Sequence, residues 1–89
     1  MPYIPQDKRD VIDPALKPIL DLVGSGGLQA GDINYILSMI IWTIWMSDPR
    51  YTTANTLVGA MECAKLEFLR RKVNEYENKA VERNGDLVI

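Results

Sequence analysis

The residues able to do chemistry in this chain are its carboxylates, one thiol, a short cationic run and a glycine cluster, and histidine is absent from the sequence. Without an imidazole, His-based general acid/base catalysis, Ser-His or Cys-His nucleophile pairs and His-ligated metals are excluded. Carboxylates come next, because two of them one helical turn apart can hold magnesium against a nucleotide phosphate. Glu62 and Glu67 are five apart and Glu75 and Glu77 two apart, so neither pair shares a helix face. Asp10 and Asp13 have the turn spacing, but Asp13 precedes Pro14 and reads as a helix cap. Glu62 lies among Val58, Leu66 and Leu69 beside Lys65, which reads as a partly buried polar pair, Glu62 with Lys65, of structural use.

The remaining candidates have structural explanations. Gly24-Ser25-Gly26-Gly27 follows a helical pattern and no Lys-Ser/Thr pair succeeds it, so it reads as a helix stop instead of a phosphate loop. Cys63 lacks an activating base and sits beside Gly59 and Ala60 in a helical context, as a buried inert thiol would. It is the only cysteine, so no intrachain disulfide can form and a reducing compartment is expected. Arg70, Arg71 and Lys72 could meet phosphate or RNA, but Glu67, Glu75 and Glu77 offset their field, and the run reads as a solvated helix face. Trp42 and Trp45 at helical spacing fit a core or an interface better than a ligand pocket. No catalytic, cofactor-binding or metal-ligating residue is assigned, and no cofactor is expected.

The elements that would position these side chains are helices. Two prolines within Met1 to Pro5 predict an extended start, followed by a short helical turn around Gln6 to Val11. Asp13-Pro14 then begins a helix over 13–24, whose Leu16, Ile19, Leu20 and Val23 form one face. Pro18 is its awkward residue. The second helix, over 30–47, starts near Asp32 and stops at Asp48-Pro49. At about 100° per residue, Ile33, Ile36, Leu37, Ile40 and Ile44 form one stripe of it, and Tyr35, Met39, Trp42 and Met46 form another nearly opposite.

Thr52 or Thr53 can cap a long third helix over 53–83, which Asn84-Gly85 ends, leaving 84–89 as a tail. Leu57, Met61 and Phe68 read as core on its first half, and Gly59 as the point of a close helix crossing. Val73, Tyr76 and Ala80 form a thinner apolar line on the charged second half.

With 89 residues, 47% of them hydrophobic and 25% charged, the chain has ordinary globular composition in a length that allows one small core. A net charge of −2 provides no broad positive field, so nucleic acid is not the expected partner. The apolar run Ile33 to Met46 is interrupted by Asn34, Ser38 and Thr43 and is shorter than the roughly 18 to 20 residues of a membrane span. The opening residues have no signal-peptide pattern, and a cytoplasmic location without membrane contact is expected.

Several stretches resemble a family of short uncharacterised proteins of bacteriophages and bacteria. They are Met1-Pro2-Tyr3-Ile4, Gly31-Asp32-Ile33-Asn34-Tyr35, the run from Val58 to Arg71 containing Glu62-Cys63-Ala64-Lys65-Leu66-Glu67-Phe68, and Asn84-Gly85-Asp86. Leu69 and Arg83 depart from the tyrosine and glutamate expected there. The resemblance implies a helical fold and a phage or prophage origin, hence the cytoplasm of a host cell, and it implies no activity.

These readings combine into an all-α, three-helix single domain with a long C-terminal helix, its helices packing into a dimeric bundle. The expected role is a non-catalytic homodimeric accessory module that binds another phage or host protein. Tyr35, Met39, Trp42 and Met46 form the expected dimer interface, with Trp42 as its hot spot. The enzymatic alternative is an all-α magnesium-dependent nucleotide pyrophosphohydrolase, whose usual Glu-x-x-Glu spacing the chain lacks.

Overall fold

A computed structural model of the chain describes residues 3–87. Met1, Pro2, Val88 and Ile89, which include the ends of the expected extended start and tail, lie outside the described residues. Every regular element among the described residues is a helix, with no strand among them. Helix α1 is Gln6–Gly24, α2 is Ala30–Ser47, and the third segment joins α3 (Tyr51–Phe68), a π-helical turn (Leu69–Val73) and α4 (Asn74–Asn84) over 34 residues. The all-helical class and the long final helix are thus those read from periodicity.

Helix α1 begins seven residues before the predicted start, at Gln6 behind Pro5, so residues 6–12 belong to one continuous helix instead of a separate short turn. The Pro5 carbonyl accepts from the Lys8 and Arg9 amides at 3.1 and 3.2 Å, and Gln6 Nε2 donates to Asp10 Oδ1 at 2.8 Å. Asp13-Pro14 is therefore helix interior, and both Pro14 and Pro18 lie inside the element. Each proline lacks the amide that would bond the carbonyl four residues back, so Asp10 and Pro14 lose that donor. The helix tolerates them because of where they point. At about 100° per residue, Pro14 and Pro18 share the side of Asp7, Asp10 and Asp21, while Ile12, Leu16, Ile19 and Val23 occupy the opposite one. Carbonyls released on the charged side meet water, and a helix bends most easily with that side convex.

At its other end, α1 is closed by the Ser25 amide bonding to Asp21 O and Leu22 O, with the Ser25 hydroxyl also donating to Leu22 O at 2.7 Å. Gly26 and Gly27 follow with φ of 84°, a conformation open to glycine at no steric cost. Helix α2 opens with a capping box. The Gln29 amide donates to Asp32 Oδ2 at 2.9 Å and the Gln29 side chain accepts from the Asp32 amide, so two otherwise orphaned amides are satisfied together.

By contact the chain divides into two compact units, Pro2–Asn55 and Thr56–Ile89. In neither does any described residue reach full burial. The most sheltered apolar side chains, Leu28, Ile36, Ile41, Leu57 and Val73, are only half-buried. Met61 and Phe68, expected as core, are exposed, and around Gly59 a built Cβ would meet nothing within 4 Å. The close helix crossing expected at Gly59 is therefore not made among the described residues of the Thr56–Ile89 unit. Gly59→Ala is accordingly expected to stabilise the protein by about 0.8 to 1 kcal/mol, the helix-propensity difference, as a rise in thermal unfolding temperature. A fall would place another backbone against that position.

Candidate interaction surface

Helix α2 carries the surface that most needs a partner. Its polar residues are satisfied locally: the Ser38 hydroxyl donates to Asn34 Oδ1 at 3.0 Å, Thr43 to Met39 O at 2.6 Å and Ser47 to Ile44 O at 2.7 Å. The Ser38, Thr43 and Ser47 hydroxyls thus need no partner from outside α2. A helix that is apolar on all sides is ordinarily a buried one. Here both faces are open. Tyr35, Met39, Trp42 and Met46 are 66%, 43%, 64% and 76% exposed, and Ile33, Leu37, Ile40 and Ile44 are between 45% and 55% exposed. Periodicity identifies which residues share a face, but not which chain covers it.

The other candidates occupy the surface. Lys65 Nζ and Glu62 Oε1 are 3.5 Å apart, so the pair forms, but both side chains are more than half exposed and the expected burial is not provided by the single chain. A pair in that setting contributes about 0 to 1 kcal/mol and specifies no packing. Cys63 is exposed instead of buried. The Arg70 guanidinium donates to Glu67 Oε1 at 2.6 Å, and Arg71 Nε lies 4.0 Å from the same oxygen. Part of the cationic run is thus spent on a carboxylate of its own helix. Among the described residues no group of three or more His, Cys, Asp or Glu could hold a metal ion. A shallow concavity is lined by Tyr76, Lys79, Glu82 and Arg83, all of α4, and one side of one helix does not enclose a small molecule. No helix among the described residues is long and apolar enough to cross a membrane.

One polar cluster does fix backbone geometry, at the junction of α2 and α3. Asp48 receives two bonds of 2.7 Å from Arg50, through Nε to Oδ1 and Nη2 to Oδ2, and a third of 3.3 Å from the Thr53 hydroxyl to Oδ2. Helix α3 starts at Tyr51, with the Ala54 amide bonding to Arg50 O, so Thr52 and Thr53 lie in its first turn and neither is its cap. The Asp48 carboxylate instead faces the positive end of α3. Asp48-Pro49 is thus more than a helix stop, since Arg50 supplies the fork and Thr53 a further donor to the same carboxylate.

Arg50 holds the Asp48 carboxyl below its ordinary value of 3.8, against a smaller opposing effect of desolvation and with help from Thr53. A carboxyl with a depressed folded pKa stabilises the protein fully above its unfolded pKa, and that share is lost as pH falls through the folded value. Stability is therefore expected to decline below about pH 3.8 less steeply in Asp48→Asn than in the wild type. Urea unfolding across the acid range checks this, and equal slopes would remove Asp48 from the linkage.

Comparison with known proteins gives one match. A family model described as "Domain of unknown function (DUF6899)" covers residues 1–87. No curated protein and no solved structure matches the chain. The match takes in both units, both faces of α2 and the Asp48 junction, and the chain belongs to the DUF6899 family.

Proposed function

We propose that this protein is a non-catalytic, self-associating helical module, a homodimer joined through Tyr35, Met39, Trp42 and Met46 of α2, that serves as an accessory factor to another protein. The observation that carries this reading is the exposure of both apolar faces of α2. Contiguous apolar patches larger than a few hundred Å² mark association sites on soluble proteins. Aromatic and methionine side chains enrich interface centres, and the predicted stripe consists of those types. A twofold pairing lets one stripe pack on its own copy. The resemblance to short bacteriophage and bacterial proteins supports a phage or prophage origin and action in the host cytoplasm.

Light scattering at micromolar concentration tests the reading. The expected mass is twice the 10.1 kDa of one chain. A wild-type monomer at that concentration would refute it.

A further inference from the structure

We infer that Asn84 is a site of spontaneous modification in the folded protein: it is converted to aspartate and isoaspartate by ring closure on Gly85, at a rate set by opening of the last turn of α4. Ring closure needs the backbone nitrogen of the following residue to reach the side-chain carbonyl carbon of the asparagine. Asn34, Asn55, Asn74 and Asn78 each precede a residue whose side chain crowds that nitrogen, and Asn84 alone precedes a glycine. Glycine has no Cβ to obstruct the approach. A Cβ built on Gly85 would meet nothing within 4 Å, so the ring has room to form, and Asn84 is exposed to the water that later opens it. In the step itself the Gly85 nitrogen gives its proton to a solvent base and bonds to Asn84 Cγ. The Cγ–Nδ2 bond breaks, ammonia leaves, and a cyclic imide remains. Water then cleaves the imide on the Cγ side to give aspartate, or on the main-chain carbonyl side to give isoaspartate, with no change of oxidation state. Replacing one amide by one carboxylate takes the formal net charge from −2 to −3.

The helix end controls the nucleophile. Asn84 is the last residue of α4, and the Gly85 amide donates to Val81 O at 2.8 Å, with Gly85 at φ 84°. While that bond stands, the proton that must leave is held on a carbonyl, and the nitrogen is fixed by the helical backbone of Asn84. It is released when the last turn opens. Helix ends fray at little cost, and Val81, Glu82, Arg83 and Asn84 are all exposed, so little packing opposes the opening. Neither product restores the original end. A carboxylate at position 84 faces the negative end of the helix dipole, where an anion is disfavoured, and Asp86 already places another just beyond it. Isoaspartate adds a carbon to the main-chain path and breaks the spacing that lets Gly85 reach Val81. Each conversion thus leaves the end of α4 open for good.

The test ages the full chain in mildly alkaline buffer, native and in guanidinium chloride, and follows each asparagine by peptide mass spectrometry, with isoaspartate marked by a protein isoaspartyl methyltransferase. Conversion should appear at Asn84 and be absent from Asn34, Asn55, Asn74 and Asn78. It should run several-fold slower in the native chain than in the denatured one. Asn84→Gln, whose ring would be one atom larger, should keep α4 and abolish the signal. Asn84→Asp should speed hydrogen exchange of the Gly85 amide, read by nuclear magnetic resonance, relative to freshly prepared wild type. An Asn84 that stays amidated in the native chain over many half-times of the denatured one would overturn the inference, as would earlier conversion at another asparagine. Equal rates in the two states would remove control by the helix end. Unchanged exchange of the Gly85 amide in Asn84→Asp would remove the lasting opening of α4. These readouts do not depend on self-association, so the two proposals fail separately.

Discussion

Trp42→Glu is expected to eliminate the dimer, leaving single chains or an insoluble product. Trp42 is 64% exposed in the chain, in the middle of the Tyr35 to Met46 stripe, so its indole is free to be buried by a partner. Truncating an interface hot spot costs about 2 kcal/mol or more, and a symmetric dimer loses it twice, for about 4 kcal/mol or roughly a thousandfold in Kd. Glutamate adds the cost of placing a carboxylate in an apolar interface without a partner, so this figure is a lower bound. Light scattering on wild type and variant at matched concentrations measures it. A Trp42→Glu protein that remains dimeric at low micromolar concentration would exclude the Tyr35 to Met46 face from the interface.

The double variant Pro14→Ala with Pro18→Ala is expected to have a large effect of the opposite sign. Both prolines sit inside α1. Proline costs about 3 kcal/mol relative to alanine within a helix, through the missing amide and a ring that crowds the preceding turn. Some of that is returned by the stiffer unfolded chain that proline gives. About 3 kcal/mol for the pair is a conservative expectation, visible as a midpoint rise of roughly 10 °C or more. Both positions lie opposite the apolar side of α1, so the gain should come with dimerisation intact. If instead stability falls, the proline rings make contacts worth more than the restored amides return.

The contrast between what was legible in the sequence and what was not has a physical origin. Helical class follows from local spacing, and Leu16, Ile19 and Val23 or Ile33, Ile40 and Ile44 display it directly. The start of α1 was misplaced because Asp-Pro is a strong start signal in isolation. Only the angular position of Pro14 and Pro18, on the charged side, shows why the helix continues through them. Burial of Leu57, Met61, Phe68 and Cys63 follows along one helix from its apolar neighbours, but burial is a property of everything packed around a side chain; Leu57 is half-buried and the other three are exposed. The spacing of the Tyr35 to Met46 stripe was readable, and so was the Glu62 with Lys65 pair, though not its exposure. The Asp48 fork was missed because its partners belong to a turn, where no periodicity draws attention to them.

The π-helical turn in the third segment sets the phase of everything after it. The Asn74 amide bonds to Leu69 O, five residues back, so the turn accommodates one residue more than an α-helix would. In uninterrupted α geometry, at about 100° per residue, the line of Val73, Tyr76 and Ala80 would be rotated by roughly 120° from that of Leu57, Met61, Ala64 and Phe68. Absorbing one residue turns the later line back by about 100° and brings the two nearly into a common azimuth. Val73 then follows Phe68 as a residue four positions on would in an α-helix. Seven side chains separated into two lines by the sequence thereby share one seam along the Thr56–Ile89 unit. What aligns them is the number of residues between Leu69 and Val73, a property independent of the charges those residues carry.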